Sequence, residues 1–465
     1  MTRPTRVLLV GDLHLGLRPR RLPERAADAD RLGPREALER IVTTARALDV
    51  DAVAFAGDLI HHLEDRFEAL GPLKGACQRL AERGVVALAV AGNHDAVALN
   101  RVAGLLGGEA LHVLGADGGW EARSLEPEGA TALEFVGRSF VREHETADPM
   151  AAFPEALRGP TSPEGRVRIG LLHTQLDAAD APYAPTTRAA LEATGMPWFL
   201  GHVHDPSPLS GSRPVGYLGS ATALAADECG ARGPWLATVG PEGLRDLVQL
   251  PLAPLRRERL ELDVGVLEEA ADPVAELEAL VEEGATRILE AIGAEGRATM
   301  QRLLDVAPEA GSLEEATLGP RAVGLRLRLV GRTRHAVRLR DALEAQGSLR
   351  EYATHGGGIQ AWIQKVEVAF ARSHDLEELA RGNDPIALLA RKLLAIESGD
   401  AEAGELVAGV LATRRGGFAR AWLDALPRGE GDEPVDVEEE LRSALLEAGQ
   451  EALDALLAQR EEAAA

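Results

Sequence analysis

Short apolar runs recur through the first half of the chain, at 6–10, 52–56, 85–91, 132–136, 167–172, 198–200 and 235–239. Runs of this length with turn residues around them read as buried strands. Between them, 34–48 and 70–83 carry apolar residues at helical spacing. Strand alternating with helix predicts a layered α/β domain over 1–250.

Near Leu250 the pattern changes. "PLAPLRRERLELDV" reads as a linker running into a strand, and an acidic amphipathic helix follows over 273–292. "AVGLRLRLVG" alternates apolar and basic residues as an exposed-face strand does, 335–346 is predicted as a helix, and 359–370 as another strand. Together these predict a small β-α-β-α-β domain over 251–372. From 373 to 465 the chain turns helical, with "RGEGDEP" (428–434) as a linker. The last helix carries Val437, Leu441, Leu445, Leu446, Leu453, Leu456 and Leu457 at near-heptad spacing. That spacing fits an ordinary packed helix and a surface for docking another chain equally well.

Composition sharpens this. The 465 residues are too many for one ordinary core, and 45% of them are hydrophobic, which excludes a disordered chain. No run approaches the 18 uncharged apolar residues of a membrane span. The four apolar residues before the first charged loop are too few for a secretory signal, so a cytoplasmic protein with no membrane association is expected. Two cysteines, Cys77 and Cys229, exclude a disulfide framework. The net charge is −24, and residues 1–250 hold 25 basic against 33 acidic side chains. The acid excess therefore lies mainly in the C-terminal half. This balance argues against a chain that coats nucleic acid by charge alone, but leaves room for a local basic patch or a metal centre that binds phosphate.

Five segments share one arrangement, an apolar run ending in ligand-type residues. They are "VLLVGDLH" (Asp12, His14), "AVAFAGDLIHH" (Asp58, His61, His62), "ALAVAGNHD" (Asn93, His94, Asp95), "RIGLLHTQ" (His173) and "WFLGHVH" (His202, His204). Seven of the 12 histidines fall in these segments, a clustering that scattered core or surface histidines do not produce. In open α/β sheets functional groups gather beyond the carboxyl ends of the strands. A glycine just before the polar residue, in four of the five, suits a sharp turn or a close backbone approach. Pairs two residues apart, as in "GDLH" and "GHVH", point to one side of an extended chain. Carboxylate, amide and imidazole without thiolate suit divalent Mn, Fe or Zn, and this many ligands predicts two ions. Two such ions clamp an in-line displacement at phosphorus. Asp12 and Asp58 neutralise two of the four positive charges, which leaves the site positive toward a phosphoryl transition state.

These residues resemble the calcineurin-like metallophosphoesterase superfamily, whose signature runs D-x-H, G-D, G-N-H-D/E, H and G-H-x-H, here over about residues 5–240. The resemblance implies two packed β-sheets flanked by helices, with a small α/β capping domain and a helical C-terminal tail. It implies that Asp12, His14, Asp58 and His204 hold one ion, and that Asp58, Asn93, His173 and His202 hold the other, with Asp58 bridging. His94 would stabilise the transition state or protonate the leaving oxygen, and Asp95 would orient His94. Within the superfamily the chain is similar to the SbcD and YhaO type of DNA double-strand-break exonuclease. The similarity lies in "GDLHLG", "LLHTQ", the segment 216–239, "LRLVGRTRHAVRL" with "AWIQKVEV", and the helical tail. The sequence departs from that group at Leu218, where proline is usual, at Arg232, where lysine is usual, and in "GDLIHH".

The resemblance implies a manganese-dependent DNA exonuclease, with Fe, Zn or Mg as other candidate ions. It also implies a homodimer and an SbcC-like ATPase partner docked at the tail. His61 would contact substrate or orient a ligand; His62 has no counterpart. Arg18, Arg20, Arg21 and Arg25 after the first motif would grip DNA phosphates if they are not simply a solvated loop. Arg326, Arg328, Arg332, Arg334, Arg338 and Arg340 form a second basic cluster, for which a solvated face is the simpler expectation. The competing readings are a small-molecule or nucleotide phosphodiesterase and a non-catalytic DNA-binding scaffold.

Overall fold

Leu8 and Val10 face one way along strand β1 (Thr5–Val10), and Val7 and Leu9 the other. This period of two places β1 between two apolar layers. The same division runs through β2 (Ala52–Ala56), where Val53 and Phe55 oppose Ala52, Ala54 and Ala56, and through β3 (Val86–Val90). One layer is closed by helices α1 (Pro34–Ala47), α2 (Arg66–Ala81) and α3 (Ala98–Leu106). The computed structural model describes every residue except 1, 21, 23–30, 108–109, 179, 314–316, 346–352, 357, 400–436 and 465.

β1, β2, β3 and β4 (His112–Val113) run parallel, with β10 (Trp235–Gly240) antiparallel to β1 and β11 (Gly243–Gln249) completing a six-stranded sheet. The second apolar layer meets a five-stranded sheet of β5 (Glu121–Leu125), β6 (Leu133–Arg138), β7 (Val167–His173), β8 (Trp198–Gly201) and β9 (Val215–Tyr217). Here β6 to β9 are parallel. Leu133, Phe135, Val167, Ile169, Leu171 and Phe199 from this sheet interlock with Val7, Leu9 and the alanines of β2. Each large apolar side chain so enclosed contributes about 1.5–3 kcal/mol. The mixed α/β class, with several sheets flanked by helices, is the one expected. A short helix, α4 (Arg188–Glu192), links β7 to β8.

Beyond 250, β12 (Leu255–Asp263), β13 (Ala322–Val330) and β15 (Ile359–Val368) are parallel, and β14 (Ala353–Gly356) pairs antiparallel with β15. Helix α5 spans Pro273–Val306, 14 residues past the end expected at 292. Gly293 and Gly296 lie inside it, and a Cβ at Gly296 would overlap the Leu318 carbonyl. That glycine serves a close approach and does not end the helix. The end of α5, through Leu303, and the segment after it, through Ala307 and Leu318, join the N-terminal core. Accordingly, 1–331 and 338–370 form one compact unit, so the expected boundary at 250 is not a break in packing. Helix α6 (Ala336–Ala345) follows β13.

The second unit comprises 332–337 and 371–465. Its helices α7 (Leu376–Leu379), α8 (Pro385–Ser398) and α9 (Val437–Ala464) share a small core of Leu376, Ile386, Ala390, Leu393 and Leu453, with Leu446, Leu456 and Leu457 packed against it. These leucines of the heptad-like pattern are thus engaged within the unit. The expected linker at 428–434 lies outside the described residues.

The expected second basic cluster is largely neutralised. Arg326 pairs with Glu367, Arg328 with Glu261, Arg332 with Asp454 and Arg338 with Asp272, while Arg340 donates to the Phe370 carbonyl. It does not present a free phosphate-binding face. Among the described residues no helix is long and apolar enough to cross a membrane.

Candidate metal centre

The carboxyl ends of β1, β2 and β3 meet those of β7 and β8 on one rim, and the side chains there touch across the two sheets. His173 Nε2 lies 3.0 Å from Asn93 Oδ1 and 3.4 Å from Asp58 Oδ2. His202 Nδ1 lies 3.1 Å from the same Asn93 oxygen, and the His202 amide donates to both Asp12 oxygens at 2.9 and 3.2 Å. His14 Nε2 stands 3.6 Å from Asp58 Oδ2. Asp12, His14 and His204 form one group able to hold an ion, and Asp12, Asp58 and His173 another. All seven expected ligands therefore converge, and five of them, Asp12, His14, Asp58, Asn93 and His173, are buried.

Local structure explains the convergence. Each of the four glycines before a ligand sits where a side chain has no room. A Cβ at Gly92 would overlap Asp58 Oδ1, and one at Gly57 would overlap the His173 ring. Backbone bonds stitch the first two motifs together, with Leu13 and His14 amides donating to the Asp58 carbonyl at 3.2 and 2.8 Å. His14, Asp58 and His202 adopt φ of 54°, 46° and 104°, in the left-handed region that side chains rarely occupy. Gly92→Ala is expected to displace Asp58 and weaken divalent-metal binding by about 10- to 100-fold. Metal content after dialysis, measured beside wild type, checks this.

Does the site fit divalent ions? His14 Nε2 is buried and has no hydrogen-bond partner among the described residues, which is costly unless something else fills its lone pair. Burial pushes Asp12 up to about 6 against the pull of His204, and holds Asp58 well above the usual carboxylate value, with Asp95 and Asp12 adding repulsion. Burial also holds His14 and His173 well below the usual imidazole value, and His202 at about 4. Neutral imidazoles are the form that ligates metal, and buried carboxylates this close together call for cations. The donor set fits two divalent ions.

The other expected residues are placed as follows. His94 Nδ1 lies 2.9 Å from the His61 carbonyl, so Nδ1–H donates there. Asp95 does not orient His94. Its carboxylate accepts from the Gly92, Leu59 and Ile60 amides at 2.7, 2.7 and 3.2 Å, because three unpaired N–H groups at the rim need an acceptor. Asp95 thus shapes the turns that carry Asp58 and Asn93, and burial, only partly offset by those amides, raises it to about 7. His61 Nδ1 is 3.1 Å from His14 Nδ1, and its ring stacks near His94 with centroids 5.3 Å apart. His62 is exposed and lies against His61 at 4.0 Å. Arg18 and Arg20 are exposed, and the Arg20 charge acts on His61; Arg21 and Arg25 lie outside the described residues.

Sequence reasoning did not single out Gln175 or Glu228, and noted Arg232 only as a departure from the group's usual lysine. Gln175 Oε1 is 2.6 Å from His202 Nε2, Glu228 Oε1 is 2.7 Å from His204 Nδ1, and Arg232 donates to the His204 carbonyl. A signal for Gln175 was present, since it stands two residues past His173 on an extended chain. Glu228 and Arg232 sit at i and i+4 in "ECGARG".

Residues 5–206 match the family model described as calcineurin-like phosphoesterase. A protein of Haloferax volcanii named DNA double-strand break repair protein Mre11 is 41% identical over 91 residues, covering 20% of this chain and 20% of its own. An uncharacterized metallophosphoesterase of Bacillus subtilis, YhaO, is 29% identical over 202 residues, covering 41% of this chain and 46% of its own. The chain thus aligns with less than half the length of either relative. A solved dimetal phosphatase from Danio rerio covers 51% of this chain and 93% of its own at 13% identity, with a TM-score of 0.30, an overlap too slight to carry argument.

Proposed function

We propose, from the premise that residues 5–206 are a calcineurin-like phosphoesterase domain, that the chain is a two-metal phosphodiesterase that acts on DNA as an exonuclease in double-strand-break processing. The observation that carries the reading is the buried ligand set at the rim, with the His14 Nε2 lone pair directed into it and left without a partner among the described residues. The DNA substrate rests on the partial similarity to a protein named for double-strand-break repair.

When bound, two divalent ions, manganese first among the candidates, supply charge to the phosphoryl oxygens and acidify water. The residues of the chain supply the rest. Asp58, near both His14 and His173, would help hold both ions. His94, with Nδ1–H fixed on the His61 carbonyl, directs Nε2 to the phosphodiester or its leaving oxygen. His61 steadies His14 and borders the phosphate path, and Arg18, Arg20, Arg21 and Arg25 grip the DNA backbone. In this reading 251–372 caps the active site, 373–465 docks an SbcC-like ATPase, and the assembly is a cytoplasmic homodimer.

The test is cleavage of end-labelled duplex and of bis-p-nitrophenyl phosphate by the purified protein with Mn²⁺. Both are expected to be cleaved. Cleavage of the small ester alone, with any ATPase partner present, would overturn the nuclease assignment, and cleavage of neither by metal-loaded protein would leave a scaffold. His61→Ala is expected to lower the duplex rate by about 10- to 100-fold through the misplaced His14, while His62→Ala stays near wild type.

A further inference from the structure

Each imidazole that ligates a metal through one nitrogen must direct the other to a partner that fixes its tautomer and ring angle. For His204 that partner is Glu228. Its Oε1 accepts the Nδ1–H at 2.7 Å, which leaves Nε2 as the only nitrogen able to face the Asp12 and His14 group. Oε2 is equally occupied, by the Leu224 amide at 2.7 Å and the Ser220 hydroxyl at 3.2 Å. Four residues on, Arg232 is 1% exposed on its side chain and clamps the same loop. It donates to the His204 carbonyl, to Ser220 Oγ at 3.0 Å and to Asp205 Oδ1 at 2.6 Å. Its Nε–H donates to the Glu228 carbonyl at 3.3 Å. One residue therefore fixes the ring of the ligand and the other fixes its backbone, with Ser220 bridging the two.

We propose that Glu228 and Arg232 are positioning residues for the metal centre, acting through His204. This rests on the two-metal reading above. A glutamine at 228 keeps the shape but puts an NH₂ where one of three donors now points, so one contact of the network becomes donor against donor. A lysine at 232 still reaches the His204 carbonyl as a point charge, but cannot spread over the four acceptors named as the guanidinium does.

Two readouts test it. In metal-free, ¹⁵N-labelled protein, long-range nitrogen–proton spectra of the histidine rings report the tautomer. Wild-type His204 is expected to carry its proton on Nδ1, and Glu228→Ala to lose that preference. By competition with a fluorescent chelator, wild type is expected to bind two Mn²⁺. Glu228→Gln is expected to bind one ion with wild-type affinity and the other about 10- to 100-fold more weakly. Arg232→Met should weaken the same ion by about 10-fold, with Arg232→Lys recovering most of the loss. Circular dichroism identifies folded variants; if Glu228→Gln does not fold, Ser220→Ala tests the same network, with a weakening of about 10-fold expected. Two ions at unchanged affinity in the folded variants, with an unchanged His204 spectrum, would overturn the positioning role and leave the two-metal reading intact. No Mn²⁺ uptake by wild type would overturn both.

Discussion

Asp58→Ala is expected to empty both ion positions at once and to lower phosphodiester cleavage by at least about 10³-fold, more than loss of a single transition-state donor costs. The carboxylate lies beside histidines of both groups, with Asp12 the other carboxylate there. Oδ2 lies 3.4 Å from His173 and 3.6 Å from His14, while Oδ1 accepts the His94 amide at 2.9 Å. Removing it therefore takes a ligand from each ion and the anchor from the residue that follows Asn93. Stability should move differently from activity. Without cations Asp58 is a buried acid held high by burial and by Asp95 and Asp12, so its removal relieves repulsion. Metal-free Asp58→Ala is accordingly expected to melt at or above the temperature of metal-free wild type. Saturating Mn²⁺ should raise the melting temperature of wild type only, as ligand binding at 100 times Kd adds about 2.7 kcal/mol. Calorimetry with and without chelator, alongside metal analysis, reads both effects. A variant that keeps one ion at wild-type affinity would show that Asp58 serves a single position.

His94→Ala is expected to lower turnover by about 10²- to 10⁴-fold while leaving two ions bound. The ring's Nδ1 is committed to the His61 carbonyl and burial holds the imidazole below its ordinary value, so Nε2 must take up a proton, as a nearby phosphate anion favours, before it can donate to substrate. His14, His61 and His94 also stand close enough together to hold an ion, so the metal content of the variant separates a ligand from a substrate contact. Bis-p-nitrophenyl phosphate has a leaving group that needs little protonation. If His94 delivers a proton, the loss should therefore be smaller on this ester than on DNA; if it only stabilises charge on the phosphoryl group, the losses should match. Metal loss in this variant would instead make His94 a ligand.

How far the sequence revealed this site follows from how local each feature is. A candidate ligand at the end of an apolar strand is announced by its own neighbours, so the convergence of Asp12, His14, Asp58, Asn93, His173, His202 and His204 was legible, and so were the strands that carry them. Partners from other segments were not. Glu228 reaches back 24 residues to His204, and Asp95 turns from the adjacent His94 to amides 35 and 36 residues earlier. The acidic partners of the basic face of β13 were hidden for the same reason, though a solvated face was the simpler expectation. Arg328 stands in register with Glu261 on one side and Glu367 on the other, and no pattern within β13 discloses which strands will flank it. Gly293 and Gly296 resemble a helix end in sequence, but Gly296 is accounted for only by a chain that passes close to α5.

The left-handed backbone at His14, Asp58 and His202 bears on how an ion enters. Each such residue is held about 1–3 kcal/mol above a relaxed conformation, and the hydrogen bonds and sheet pairing around it are what hold it there. Folding therefore does the work of shaping the coordination sphere before any ion arrives. Capture becomes a matter of shedding water and displacing protons, with little rearrangement of the chain. One divalent ion can then replace another without a refolding step, and cellular supply joins geometry in deciding which ion the protein carries.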